Sequence, residues 1–132
     1  MPAKDGDIYI LNLGSTGTTF RVECVVSPQA LQRGLSGRPS LASGTGMFFI
    51  FGSLAIQTMW MPDMNFPLDI VWLDETLSVS HIVYGLQPCT SRQSCPSSSS
   101  QYDAKYAIEM PQGDASKYGF TEGMNLTVSI SK

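Results

Sequence analysis

Residues 46–73, GMFFIFGSLAIQTMWMPDMNFPLDIVWL, place six aromatics and four methionines in 28 positions, with two acidic residues and no Lys, Arg or His. A stretch this apolar must supply much of the interior, because burying it removes apolar surface from water at roughly 25 cal/mol per Å². Within it, residues 47–51 and 56–61 read as strands broken by Gly52-Ser53, and residues 68–73 as a third strand entered through Pro67. Side chains alternate along a strand, so Ile56, Thr58 and Trp60 share one face while Met59 and Met61 share the other. Both faces are apolar, and a single one-sided sheet could not bury them. Two packed sheets are expected.

The flanking segments are also β-prone. Residues 8–13 and 18–26 form a hairpin through the glycine turn 14–17, with the first strand expected at an edge. Ser27 is placed to cap a short helix, Pro28 fits its first position and Gly34 can end it in a left-handed conformation. Strands follow at 77–84 and 105–110, a short helix at 111–118, and a last strand in which Leu126, Val128 and Ile130 alternate with Thr127, Ser129 and Ser131. With no βαβ rhythm and no repeat, the expected class is mainly β: a two-sheet sandwich or a jelly-roll-like barrel with two short helices.

At 132 residues and 42% hydrophobic content, residues 1–132 make one domain that can bury a core without metals or staples. Eight basic against 11 acidic residues leave a net charge of −3 and no basic stripe, so nucleic acid is not an expected partner. No apolar run approaches the roughly 18 residues of a membrane span, and MPAKDGD has no basic end followed by an apolar stretch. A monomer is expected, with any leader absent from this chain.

Of three cysteines, Cys24 lies in the apolar run VECVV, while Cys89 and Cys95 sit six apart in the polar segment PCTSRQSCPSSSS. The pair reads as a disulfide within a polar loop, 85–101, and Cys24 as a buried free thiol. A disulfide implies an oxidising compartment, hence an extracytoplasmic location, periplasmic or secreted.

The segments GLSGRPSL, GMFFIF, MWMPDMNFPLDIVWLD and IEMPQGDASKYG follow one another in an order that resembles the domain of unknown function 192 family. The resemblance runs from about Thr18 to Ile130. It implies a small, mostly β fold of sandwich or jelly-roll type, often exported, and no established reaction. The family pattern falls on Gly34, Leu35, Arg38, Gly46, Met47, Phe49, Trp60, Met61, Pro67, Leu68, Asp69, Glu109 and Gly113. Where members usually carry Lys after the Trp-Met pair this chain has Pro62, so no role can rest on that amine. The loop carrying Cys89, Thr90, Cys95, Pro96 and Tyr102 is similar to that of a subset of the family.

Asp69 shares a strand face with Val71 and Leu73 and should be at least partly buried, which requires N–H donors or a cation to offset its desolvation. The structural expectation is that it accepts N–H groups of the turn 62–66 or pairs with Arg38. The chemical alternative gathers Arg38, Asp69 and Glu109 around a pocket, with Arg38 holding an anion and Asp69 or Glu109 moving protons. Met47, Met59, Met61 and Met64 beside Trp60 admit a copper(I) reading, since thioethers are soft ligands, although methionine equally fills irregular cores. His81 is the sole histidine, and no strained GxSxG turn or glycine-rich phosphate loop is present.

The expected function is binding: an extracytoplasmic β-sandwich domain holding a small molecule, a glycan or a protein partner near Trp60, Arg38 and the cysteine loop, with Met61 and Asp69 in the same set. No cofactor is expected. The alternatives are an enzyme using Asp69 or Glu109 as general acid or base with Arg38 as anion anchor, and a methionine-rich copper(I) binder.

Overall fold

The computed structural model describes residues 3–60, 63–89, 95 and 97–130. Its elements are β1 (Ile8–Leu13), β2 (Thr19–Val25), α1 (Pro28–Arg33), β3 (Thr45–Ala55), β4 (Thr58–Trp60), β5 (Leu68–Leu73), β6 (Val79–Leu86), β7 (Ser97–Ser99), β8 (Ala104–Pro111), α2 (Asp114–Lys117) and β9 (Leu126–Ile130). Seven strands form one sheet in the order β6-β5-β8-β3-β2-β1-β9, and β4 pairs with β7 in a second, small sheet. Among the described strands only β2 and β3 pair in parallel. The mainly β class with two short helices is thus observed.

The sheet rolls without closing. Its edge strands come together at one end through a bridge between Ser78 and Asn125, where the Val79 N–H donates to the Met124 carbonyl at 2.8 Å and the Leu126 N–H to the Leu77 carbonyl at 2.9 Å. Inside the roll lies a core that includes Leu11, Phe20, Phe48, Val71, Ile108 and Leu126. Outside it a second core gathers Leu35, Met47, Phe49, Ile70, Trp72 and Ala107 beneath α1, β4 and the loops. In place of the two packed sheets expected from strands apolar on both sides, one rolled seven-stranded sheet buries both of its faces, and the second sheet is the small β4-β7 pair.

Several local expectations hold. Ser27 accepts the Ala30 N–H at 3.2 Å, Pro28 opens α1, and Gly34 ends it with positive φ, +50, although its ψ of −129 is not that of the left-handed helical conformation expected. Cys89 and Cys95 form the disulfide, and Cys24 is a buried free thiol. Four differences are informative. The first strand is not an edge, because β9 pairs along its other side from Tyr9↔Ile130 to Leu13↔Leu126. The chain runs straight through Gly52-Ser53, with a register shift against β8 rather than a break in the strand. The next strand shrinks to three residues, and of its apolar side chains Met59 is buried while Ile56 and Trp60 are 60% and 50% exposed. Inside the expected polar loop, Ser97–Ser99 forms β7, held by β4 and by the indole N–H of Trp72, which donates to Ser98 Oγ at 3.4 Å.

Gly46 sets the spacing at the sheet centre. A Cβ there would lie 2.6 Å from the Glu109 carbonyl oxygen, so only glycine lets β3 approach β8 this closely.

Candidate functional site

Strand pairing decides which carboxylates can meet. Glu109 on β8 is opposite Met47 on β3 and Ile70 on β5, whereas Asp69 is opposite Met110. Directly paired residues point to the same face, so Glu109 belongs to the outer core and Asp69 to the inner one. The sheet separates them.

Glu109 is buried, and it lines a cavity of about 170 Å³ between the sheet, α1 and β4. The floor and walls come from Leu35, Phe49, Phe51, Met59 and Met64, with Trp60 half-exposed at the lip. Gly34 completes the wall: a Cβ at this position would sit 3.2 Å from the Phe49 ring and 3.7 Å from Glu109 Oε1, narrowing the cavity. Its φ of +50 with ψ −129 also disfavours any side chain.

Among the described residues, no hydrogen bond or ion pair engages the Glu109 carboxyl. Neither is any buried side-chain oxygen or nitrogen there both sealed from solvent and unpaired, so the carboxyl opens into the cavity. Burial alone pushes its pKa up from 4.5 to about 8, because a low-dielectric wall disfavours the charged form. At neutral pH it is a carboxylic acid, able to donate one hydrogen bond or to ionise against an incoming cation.

Asp69 is handled in the opposite way. Its Oδ1 accepts the Gly85 N–H at 2.8 Å, and its Oδ2 accepts those of Gly113 at 3.0 Å and Ala115 at 3.1 Å. It ties β6 and the start of α2 to β5. The N–H donors expected from the turn 62–66 come instead from these two later segments. Arg38 does not reach Asp69. Its guanidinium lies 3.3 Å from Glu23, in a cleft lined also by Asp5 and Arg33 that meets the Glu109 cavity at Gly34.

The structure therefore brings Trp60 and Glu109 together, sets Arg38 in the neighbouring cleft and puts Asp69 across the sheet. Of the copper(I) candidates, Met59 and Met64 line the cavity, Met47 lines the arginine cleft and Met61 lies outside the described residues. No group of three or more His, Cys, Asp or Glu among the described residues is arranged around a metal position. His81 stands on β6 with Nδ1 3.8 Å from Glu122. Phe51 and Leu31 were not singled out in the sequence: each reads as ordinary core, and nothing in their spacing marks a cavity wall. A second concavity of about 450 Å³ opens at one mouth of the roll, walled by Tyr9, Phe48, Ile50, Tyr106 and Val128, with no charged side chain among the described residues that line it.

The DUF192 family model, described as "Uncharacterized ACR", matches residues 10–128. Two similar solved structures share the fold. One, from Sinorhizobium meliloti 1021, carries the provisional name of transcription regulator; it is 25% identical, covers 96% of this chain and 98% of its own, and has a TM-score of 0.83. The other, a protein of unknown function from Novosphingobium aromaticivorans DSM 12444, is 23% identical, covers 91% of this chain and 84% of its own, and has a TM-score of 0.81. No curated protein matches the chain.

Proposed function

This chain belongs to the uncharacterised DUF192 family, and from that premise we propose that it is a small-molecule-binding domain whose site is the cavity holding Glu109 beneath Trp60. The observation that carries the reading is the Glu109 carboxyl, buried and open to a cavity with no partner among the described residues. Burying an acid without a partner costs stability and offers no packing in return. A buried carboxyl with a raised pKa that faces a cleft is a candidate ligand-binding group. The volume of about 170 Å³ is below the range of roughly 300–1,000 Å³ typical of whole-ligand pockets. It suits the end of a ligand, with Trp60 covering the part that remains outside.

The disulfide supports an extracytoplasmic setting. Among the described residues no helix is long and apolar enough to cross a membrane. The regulator name of the Sinorhizobium relative transfers poorly: helices of six and four residues are too short to read a groove, and the net charge is −3.

The test is a fragment screen on oxidised protein carrying ¹³C-methyl methionine. Binding fragments should shift Met59 and Met64, and Trp60→Ala should weaken them at least tenfold. Fragments that bind only beside Tyr9 and Tyr106, or none at all, would overturn the reading. A second reading, acid catalysis, is favoured by the proton that Glu109 keeps near neutral pH. It requires Glu109→Gln to retain ligand while losing turnover.

A further inference from the structure

Accepting that this cavity binds small molecules, its chemistry narrows the class. We infer that it takes an organic ammonium group, with the Glu109 carboxylate as counter-charge and the Phe49, Phe51 and Trp60 rings as its walls. The cavity lining includes one acid and, among the described residues, no Lys, Arg or His. An anionic ligand would meet no favourable charge. A polyol needs a partner for each hydroxyl, yet the exposed Gln32 and Thr58 stand at the mouth, Ser36 is half-buried, and the buried wall of Leu35, Phe49 and Met59 offers Glu109 as its polar group.

Two classes remain: a neutral group with one acceptor, and a cation. The acid decides between them. Phe49 and Phe51 stack at 6.3 Å and Phe51 and Trp72 at 6.1 Å, so these rings are engaged with one another, and the thioethers of Met59 and Met64 are polarisable. A neutral acceptor gains one hydrogen bond from the protonated acid, whereas an ammonium gains the attraction of the ionised carboxylate within a low-dielectric wall. The charged groups on neighbouring elements leave this balance unchanged. Arg33, Arg38, Glu23 and Asp5 belong to the adjoining cleft, where Arg38 is paired with Glu23, and Asp69 lies across the sheet.

Choline and 3,3-dimethylbutan-1-ol share one shape and differ by one charge, which makes them the probes. Each is titrated against oxidised protein from pH 5.5 to 9 while the Met59 and Met64 methyls are followed, with Met110 on the opposite face as control. Ionising Glu109 precedes binding of the cation, so choline should tighten about tenfold per pH unit up to about pH 8 and then level off. Glu109→Gln, isosteric with the protonated acid, should fold, weaken choline at least tenfold and leave the alcohol unchanged. If the alcohol binds at these methyls as tightly as choline at pH 8, the ammonium assignment falls and the small-molecule site stands. If neither probe shifts them, the ammonium assignment falls, and the small-molecule site falls with it only if the fragment screen is also blank at these methyls.

Discussion

Two buried carboxylates occupy neighbouring central strands and meet opposite fates. Asp69 has three backbone N–H donors, and hydrogen bonds to a charged group contribute roughly 1.5–3 kcal/mol each, enough to offset much of the desolvation of the ion. Glu109 has none among the described residues, so it keeps its proton up to about pH 8. Its effect on stability has a definite sign. Below its ordinary value of 4.5 the carboxyl is protonated in both folded and unfolded chains, and there is no penalty. Between 4.5 and about 8 the unfolded chain ionises and the folded one does not, so stability falls as pH rises and levels off above 8. Glu109→Gln removes this component. The stability advantage of the variant over the wild type should therefore grow by about 1.4 kcal/mol per pH unit between roughly pH 5.5 and 7.5. Urea unfolding of both proteins across that range measures it, and parallel curves would refute the burial of an ionisable group at this position.

At the scale of elements, the site depends on the least supported part of the fold. β4 carries Met59 and Trp60, and its ladder is three residues of β7. Gln57 and Ser100 extend it: the Gln57 N–H donates to Ser100 Oγ at 2.9 Å and the Ser100 N–H donates to the Gln57 carbonyl at 2.9 Å. A two-stranded ribbon is marginal by itself. The Cys89–Cys95 disulfide lies just ahead of β7 and restricts the chain that delivers it. Replacing both cysteines with serine should cost about 2 kcal/mol on the chain-entropy account. Hydrogen exchange should localise the loss, with amides of β4 and β7 exchanging faster while those of β2 and β3 keep their protection relative to global unfolding. Uniform acceleration across all strands would show that the disulfide does not act through the ribbon. Exchange confined to the ribbon would mean that redox state alters the lip of the cavity and leaves its floor intact.

For the molecule as a whole, the rolled sheet makes the inner core one cooperative unit. β9 joins the last strand to the first, and the Ser78–Asn125 bridge draws the two sheet edges together. Cys24 lies within this core, fully buried, and burial pushes its thiol up to about 12. Neither a protected thiol nor a neutral one reacts readily. With the disulfide intact it is the single free cysteine, so its modification reports opening of the entire core. Labelling with a thiol reagent should be undetectable on the timescale that modifies the unfolded chain, and its rate should rise with urea with the slope of global unfolding. Rapid labelling in the absence of urea would show that β2 opens locally and that the core is divided.

What the sequence by itself determined was local or compositional: the apolar block as the source of the core, Ser27, Pro28 and Gly34 as the punctuation of α1, the alternation in β9, and the pairing of two cysteines misplaced in a polar loop. Each depends on neighbours a few residues apart, or on a residue type at odds with its surroundings. Trp60 and Glu109 were legible as residues, but not as partners. Their meeting depends on strand register, which pairs Met47 with Glu109 and Asp69 with Met110 across long stretches of chain. The same register placed Asp69 on the other face and left Arg38 with Glu23. Serine-rich β7 carries no strand signal of its own and forms because β4 and Trp72 supply its partners. Only the tertiary structure could decide these points, because they depend on which distant backbones pair and in which register.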